Sequence, residues 1–281
     1  MTVTRQKLIS ALLGLLLLSA GPLAPSADAQ VAGHIFGLTL ANDAGSPNTT
    51  IDIATGVATD STSTYSISLG SAFTKVIQSA GSWTAGTGNN GLDTGARGAS
   101  SWYHVYPIRK DADGSADILF SLSVSSPTMP MGYSTFRRIG SVRTNGSSNL
   151  LAFTQTGDEF IWSTASYDVN GVSLGTTSTL YTLLVPTGVK VLVRLRAAND
   201  PTGSTASLVA IRSPDESSAQ NTTFGSGSGA QLSSTSGEAD VTELLIRTNT
   251  SSQIAAISSA ASGNVFHIRT VGWFDSRGSQ Y

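Results

Sequence analysis

The sequence predicts an all-β protein built from antiparallel β-sandwich or jelly-roll-like units, with enough length for two of them. Short segments that alternate apolar and polar residues recur between turn residues along most of the chain. Helical periodicity is scarce, and only residues 71–79 predict a short helix. Charged residues are 12% of the chain, against about 25% in typical soluble domains. Ser, Thr, Asn and Gly must therefore supply the polar surface, and short hydroxyl residues favour strands and turns.

The first 29 residues have the pattern of a secretory signal peptide. Arg5 and Lys7 precede an apolar run over residues 8–20, and Ala27 and Ala29 have the spacing that a signal peptidase reads. A retained membrane anchor is the alternative, but the run is shorter than the roughly 20 apolar residues that cross a bilayer. We expect cleavage after Ala29 and export to the periplasm or the cell exterior. No later segment of the sequence is apolar enough to cross a membrane.

The rest of the chain predicts a succession of strands. The clearest is residues 189–197, where Val191, Val193 and Leu195 alternate with mostly charged residues and predict one buried face and one that carries most of the charges. A short loop joins this strand to residues 181–185, which predicts a hairpin. Further strands are predicted at residues 102–109, 117–124, 133–142, 150–154, 206–212, 241–248, 253–257 and 265–274.

Two polar stretches interrupt these strands. Residues 81–100 are rich in Gly, and residues 213–240 are dominated by Ser, Gly, Thr and Asn, which predicts a long surface loop too polar to bury. The chain also becomes turn-rich after Trp162. This change predicts an N-terminal β domain over residues 30–162 and a C-terminal β-sandwich domain over residues 163–281.

Charge, cysteine content and motifs exclude several classes of protein. The net charge is −2 and no run of Lys or Arg follows the signal segment, which argues against a nucleic-acid partner. Without cysteine there is no disulfide framework. No H-E-x-x-H motif and no cysteine nucleophile occurs, and we expect a protein that does not catalyse and needs no cofactor. Folding can still bring two carboxylates together, so a secreted carbohydrate-active enzyme or carbohydrate-binding module is the alternative.

One acidic segment could bind a metal ion. Asp111, Asp113 and Asp117 surround Gly114, and carboxylates at such spacing could hold a hard cation such as calcium. The spacing does not match an EF-hand loop. An Asp-Gly pair between two strands is also a strong hairpin signal, and we favour the turn.

Aromatic and histidine side chains are the better candidates for binding. Trp83, Trp102, Tyr106 and Trp273 could line a surface on which sugars stack, and core packing is the alternative role for all four. His104 alternates with Trp102 and Tyr106. The same periodicity places His267 on one face with Val265, Arg269, Val271 and Trp273.

Several strings in the sequence resemble a family of tailed-phage and proteobacterial prophage proteins. The strings are GLTLAN at 37–42, IDIATG at 51–56, GLDTG at 91–95, WYHV at 102–105, PTMP at 127–130, RRIGS at 137–141, FTQ at 153–155 and FIW at 160–162. A weaker match surrounds Gly272-Trp273, Asp275 and Arg277-Gly278. The resemblance covers most of the chain after residue 29 but leaves out residues 213–240.

The resemblance implies a virion structural or tail-associated protein without catalytic residues. It implies protein subunits or a surface glycan as partners and makes a homo-oligomer plausible. Phage particles assemble in the cytoplasm, whereas a signal peptide directs export, so the expected location is outside the cytoplasm or, alternatively, in the virion. Within the matched strings, we expect Arg137 or Arg138 to pair with a carboxylate such as Asp158.

Overall fold

A computed structural model describes residues 31–201, 206–216, 229–235 and 238–278, and the predicted signal peptide lies outside these ranges. Within them the chain forms β-strands and no helix, which confirms the all-β class. The strands are β1 (Ile35–Gly37), β2 (Leu40–Asn42), β3 (Thr50–Ile53), β4 (Gly56–Thr59), β5 (Ser66–Leu69), β6 (Phe73–Val76), β7 (Trp102–Lys110), β8 (Ala116–Ser121), β9 (Tyr133–Phe136), β10 (Gly140–Arg143), β11 (Phe153–Thr156), β12 (Glu159–Trp162), β13 (Tyr167–Val172), β14 (Thr179–Thr182), β15 (Leu192–Pro201), β16 (Ser207–Arg212), β17 (Ala230–Ser234), β18 (Asp240–Arg247), β19 (Gln253–Ser258) and β20 (Asn264–Phe274).

The strands form five sheets whose strand pairs are antiparallel. Three small sheets use the first ten strands, in the orders β1-β4-β5, β2-β3-β6 and β10-β7-β8, with β9 beside β7. A six-stranded sheet has the order β11-β12-β20-β15-β18, with β13 beside β20, and a four-stranded sheet has the order β14-β19-β16-β17. The predicted division after Trp162 falls within the six-stranded sheet, because β11 and β12 join strands that follow it. The division into two domains stays a prediction.

The two larger sheets share one hydrophobic core. Val193, Leu195 and Ile268 from the six-stranded sheet are fully buried in the same cluster as Val209 and Ile254 from the four-stranded sheet. The three residues of the six-stranded sheet alternate with more exposed neighbours, as a sheet with one buried face requires, whereas Val209 lies in a strand that is buried on both faces. The predicted burial of Val191, Val193 and Leu195 is confirmed.

Most predicted strands are present, but one predicted strand is divided. Residues 133–142 form β9 and β10, separated by a segment that contains Arg137 and Arg138. Both arginine side chains are buried there and bind groups outside the sheet. The β-ladder is therefore interrupted where Arg137 and Arg138 bind residues of the C-terminal segment.

The helix predicted for residues 71–79 is wrong. Residues Phe73–Val76 form β6, which pairs with β3. The apolar spacing suggested a helix, but extended backbone lets Lys75 point inward to a buried carboxylate while Thr74 hydrogen-bonds Asp52 across the ladder. The tertiary ion pair and the strand pairing outweigh a weak helical pattern of nine residues.

The hairpin predicted between residues 181–185 and 189–197 is also wrong. β14 (Thr179–Thr182) pairs with β19 in the four-stranded sheet, whereas β15 pairs with β18 and β20 in the other sheet. The short connection therefore crosses from one sheet to the other. Gly188, at φ +83°, donates its N–H to Thr250 O, which holds the crossing.

Part of the predicted polar loop at residues 213–240 is a strand. β17 (Ala230–Ser234) pairs with β16, and Leu232 is fully buried. Asn199 Nδ2 donates to Ser234 Oγ at 2.8 Å, so a buried polar network compensates for the segment's low hydrophobicity. Residues 217–228 and 236–237 of the predicted loop lie outside the described residues.

A β-bulge corrects the predicted face of Trp273. Leu195 is opposite Thr270 and Arg194 is opposite Gly272, so Val271 is an extra residue on β20. The bulge shifts the alternation by one residue. His267 and Arg269 remain on the outer face of the sheet, whereas Trp273 turns inward and is only 1% exposed.

Candidate functional site

Three of the four predicted binding aromatics lie in the core. Trp102, Tyr106 and Trp273 are buried. Trp273 stacks on Phe160 with ring centroids 5.0 Å apart and also contacts Trp102 and Trp162. These residues follow the core-packing alternative and leave no exposed ring for a ligand.

Trp83 lies in the Gly-rich segment and is half-buried. Its Nε1 donates to Ile118 O at 3.0 Å, and its ring meets Tyr133 edge-on at 5.3 Å. Lys75 Nζ lies 4.8 Å from the Trp83 ring centroid. These contacts hold the ring against the β7–β8 sheet.

Lys75 and Asp117 form a buried ion pair that anchors the Gly-rich segment. Lys75 Nζ donates to Asp117 Oδ1 at 2.7 Å, to Thr84 O at 2.7 Å and to Gly86 O at 3.0 Å. Gly86 N–H in turn donates to Asp117 Oδ2. Burial lowers the pKa of Lys75, and Asp117 opposes that change. Each of the three ammonium protons has an acceptor, so the lysine has a structural role.

The three carboxylates of the acidic segment do not converge. Asp111 accepts hydrogen bonds from Ser134, Asp113 accepts them from Ser115, and Asp117 is held by Lys75. Among the residues described, no group of three or more potential metal ligands lies together. The segment forms the turn of the β7–β8 hairpin, with Gly114 at φ +76°, as the favoured interpretation predicted.

Arg138 has a carboxylate partner, but the partner is not Asp158. Its Nη1 donates to Asp275 Oδ1 at 3.0 Å, and Nη2 donates to Asp275 Oδ2. Asp158 instead lies 3.9 Å from Arg277 Nη1. The expected partner is therefore corrected to a residue 137 positions away, which sequence proximity could not indicate.

His104 is buried beside the same arginine. Arg138 Nε donates to His104 Nδ1 at 3.4 Å, and Ser141 Oγ lies 2.9 Å from that nitrogen. Burial, and secondarily the positive charge of Arg138, lowers the pKa of His104 to about 3. The imidazole is therefore neutral at physiological pH.

The low pKa of His104 predicts acid sensitivity. In the unfolded chain, the His104 imidazole binds a proton near pH 6.5, whereas in the folded protein it stays neutral until the pH approaches 3. The free energy of unfolding is therefore highest above pH 6.5 and decreases as the pH falls towards 3. We expect the free energy of unfolding to fall by about 2 kcal/mol between pH 7 and pH 5 in urea titrations. His104→Asn should remove that slope, and His34→Asn, at an exposed position, should keep it. An equal slope in all three proteins would contradict the assignment.

The most distinctive exposed feature is a row of side chains across four strands of the six-stranded sheet. Tyr167 on β13 is opposite Arg269 on β20, Arg269 is opposite Arg196 on β15, and Arg196 is opposite Glu243 on β18. Arg269 Cζ lies 4.0 Å from the Tyr167 ring centroid. A guanidinium group at that distance is attracted by the ring face.

A second row runs beside the first. His267 is opposite both Asn170 and Ala198, and Ala198 is opposite Val241. Gly171 N–H donates to His267 Nδ1 at 3.1 Å, and Asn170 Oδ1 lies 3.1 Å from the same nitrogen. The His267 and Tyr167 ring centroids are 5.5 Å apart.

The two rows enclose a shallow cavity of about 200 Å³. The small side chain of Ala198 leaves space between its larger neighbours. We call this site the arginine–tyrosine patch, and its side chains belong to Tyr167, Arg196, Ala198, Val241, His267 and Arg269. The cavity is smaller than the roughly 300–1,000 Å³ of drug-sized sites, so it fits one small group of a larger ligand.

Two irregularities in β13 shape this patch. The pairing of β13 with β20 shifts between Tyr167 and Val169 and again between Asn170 and Val172. Bulges re-aim side chains, and here Tyr167 is 48% exposed while Val169 is buried. The sequence predicted that His267 and Arg269 share a face, but Tyr167 was missed because residues after Trp162 were interpreted as turns.

The charges of the patch are unbalanced. Arg196 Nε contacts Glu243 Oε2 at 3.2 Å, but Arg269 has no carboxylate within ion-pair distance in the described chain. Its buried Nε also has no hydrogen-bond partner there. Like charges directly opposite each other on neighbouring strands are destabilising. The patch therefore carries a cation that no carboxylate of the described chain neutralises.

Two carboxylates border a neighbouring cavity, the arrangement that a glycoside hydrolase would need. Glu159 and Glu243 line it, and Arg194 binds both, at 3.1 Å and 2.6 Å. The hydrogen bond from Arg194 lowers the pKa of Glu243. A catalytic acid needs a raised pKa, and the pKa of Glu243 is shifted in the opposite direction, so Glu243 is not suited to be the acid of glycoside hydrolysis.

Comparisons with known proteins do not place the chain in a family. A scan against models of protein families and a search of curated proteins found no match to the chain. Over the residues that the structure describes, no helix has the length and apolar character needed to cross a membrane.

Proposed function

We propose that this chain is a non-catalytic surface-binding protein whose ligand contacts the arginine–tyrosine patch. The observation that carries the proposal is the unpaired Arg269 guanidinium, placed opposite Arg196 and against the exposed ring of Tyr167. The arrangement costs folding stability in the free protein, and a bound anion would offset that cost. The resemblance to phage and prophage proteins supports a structural or attachment role of this kind.

The ligand that best fits the patch is an acidic glycan. The charged side chains that line the cavity are cationic, and a guanidinium group binds a carboxylate through two parallel hydrogen bonds. Tyr167 and Val241 supply apolar contact for a sugar ring, and the His267 imidazole supplies a polar nitrogen for a hydroxyl group. The cavity admits one sugar unit while the rest of the glycan lies along the open sheet.

Variants of the patch should lose binding without losing the fold. We expect Arg269→Gln and Ala198→Leu each to weaken binding of an acidic polysaccharide, such as polygalacturonate, at least tenfold. The first removes the free cation and the second fills the cavity. Both substitutions lie on the outer face, so the free energy of unfolding should change by no more than about 0.5 kcal/mol. Isothermal titration calorimetry and urea unfolding measure the two effects.

Two controls make this experiment decisive. Ala198→Ser keeps a small side chain and should bind like the parent protein, and Leu180→Ala changes an exposed residue on the four-stranded sheet. Neutral dextran should not bind. Equal binding of acidic and neutral polysaccharides, or unchanged affinity in Arg269→Gln, would contradict the proposal. Binding of neither polysaccharide would favour a protein partner for the patch.

A further inference from the structure

A second cavity, of about 240 Å³, lies beside two buried arginines and shares no residue with the arginine–tyrosine patch. Its walls include Arg137 and Arg138, the apolar side chains of Val124 and Phe136, and Gly278 of the C-terminal segment. Arg137 is 5% exposed and Arg138 is 8% exposed. Ser61, Ser63 and Ser125, which are exposed, lie at its opening.

The interior around this cavity has more buried cations than buried anions. Arg138 pairs with Asp275. Arg137 donates to three backbone oxygens, those of Arg277, Thr59 and Gly33, at 3.2–3.4 Å. In the described chain it has no carboxylate within ion-pair distance. Burial lowers the pKa of Arg137, and the charge of Arg138 adds to that effect.

The nearby acidic groups are already engaged. Asp60 attracts Arg137 electrostatically, but its carboxylate accepts hydrogen bonds from Thr62, Thr64 and Tyr65. Arg277, the third buried arginine, donates to Ile139 O and Leu38 O, and the half-exposed Asp158 lies 3.9 Å from its Nη1. A buried charge without a close counter-charge is costly, so a mobile anion would be stabilised here.

Hydroxyl donors complete the lining. No hydrogen bond from Ser61 Oγ, Ser63 Oγ or Ser125 Oγ is formed within the described part of the chain, so these donors remain available to a ligand. The hydroxyl of Tyr106 donates to Ser123 O at 2.6 Å and is not available. Two N–H groups of Arg137 also lack an acceptor among the described residues, because a guanidinium group has five and three are used.

We propose that this cavity binds a small tetrahedral oxyanion, with inorganic phosphate as its simplest form. The Arg137 guanidinium supplies charge and two donors, and the serine hydroxyls reach the remaining oxygens. Four acceptor oxygens at tetrahedral corners suit donors that come from several directions better than a planar carboxylate does. The bound anion holds the segment around Ser61 and Ser63 against the segment around Ser125.

Phosphate should stabilise the whole protein measurably. We expect inorganic phosphate to raise the Tm saturably, by about 2–4 °C above sodium chloride of equal ionic strength. Calorimetry should give one site per chain, with sulfate able to compete and acetate unable to do so. The parent protein and Arg269→Gln should behave alike, which separates this site from the arginine–tyrosine patch.

Two variants test the location of the site. Arg137→Gln should abolish the phosphate effect, but loss of its backbone bonds could also prevent folding. Ser125→Leu blocks the opening and leaves the buried charges in place, so it should fold and lose phosphate binding by at least tenfold. Ser126→Leu is the matched control and should keep it. Absence of any phosphate or sulfate effect in the parent protein, acetate binding alone, or normal binding by Ser125→Leu would overturn the proposal.

Discussion

Asp275→Asn is expected to lower the free energy of unfolding by about 3–5 kcal/mol. The substitution keeps the size of the side chain but removes the charge that Arg138 faces inside the protein, where both side chains are buried. Asp275 Oδ1 also accepts the Arg277 N–H at 2.8 Å, so the backbone of the C-terminal segment loses a strong acceptor. Urea unfolding at pH 7 measures the change.

A surface ion pair provides the control for this prediction. Lys190 and Asp215 are 2.8 Å apart and both substantially exposed, so Asp215→Asn should cost no more than about 1 kcal/mol. In the double variant Arg138→Met with Asp275→Leu, part of the stability should return because neither member of this pair is left buried with an unpaired charge. An Asp275→Asn protein as stable as Asp215→Asn would show that the buried pair contributes little.

Trp273→Ala should also lower the free energy of unfolding by about 3–5 kcal/mol. The indole is fully enclosed and contacts three aromatic rings, those of Phe160, Trp102 and Trp162. Its removal leaves a cavity where β20 packs against β7 and β12. Chemical unfolding gives the magnitude, and a loss below about 1.5 kcal/mol would mean that the cluster repacks.

Phenylalanine substitutions separate ring packing from hydrogen bonding. Trp273 Nε1 is buried and has no hydrogen-bond partner in the described chain, whereas Trp162 Nε1 donates to Leu184 O at 3.0 Å. Trp273→Phe should therefore cost less than Trp162→Phe, because only the second substitution leaves a carbonyl without its donor. The reverse order would contradict this assignment.

Local patterns were sufficient to predict the longer strands. Alternation over residues 265–274 identified β20, and alternation at Val191, Val193 and Leu195 identified β15 and its buried face. The first six strands have only three or four residues each, too few for a period of two to stand out. β17 was missed for a related reason, since Leu232 is its only large apolar residue and fixes its position in the core.

The candidate sites depend on strand register, which the sequence does not contain. Alternation placed His267 and Arg269 together, but only the pairing of β13, β20 and β15 brings Tyr167 and Arg196 to the same place. One extra residue at Val271 was enough to invalidate the predicted position of Trp273. Arg137 and Arg138 were recognised as unusual, yet their partners come from distant parts of the chain.

The contacts of Arg277 have a consequence for the order of folding. Its guanidinium group bonds the backbone oxygens of Gly37 and Leu38, across 240 and 239 residues. At a synthesis rate of about 5–20 residues per second, roughly 10–50 s pass between the synthesis of Leu38 and that of Arg277. The first small sheets therefore lack these closing contacts until Arg277 has been synthesised. Such a high contact order predicts slow final folding, and a chain that remains open during that interval is a good substrate for chaperones.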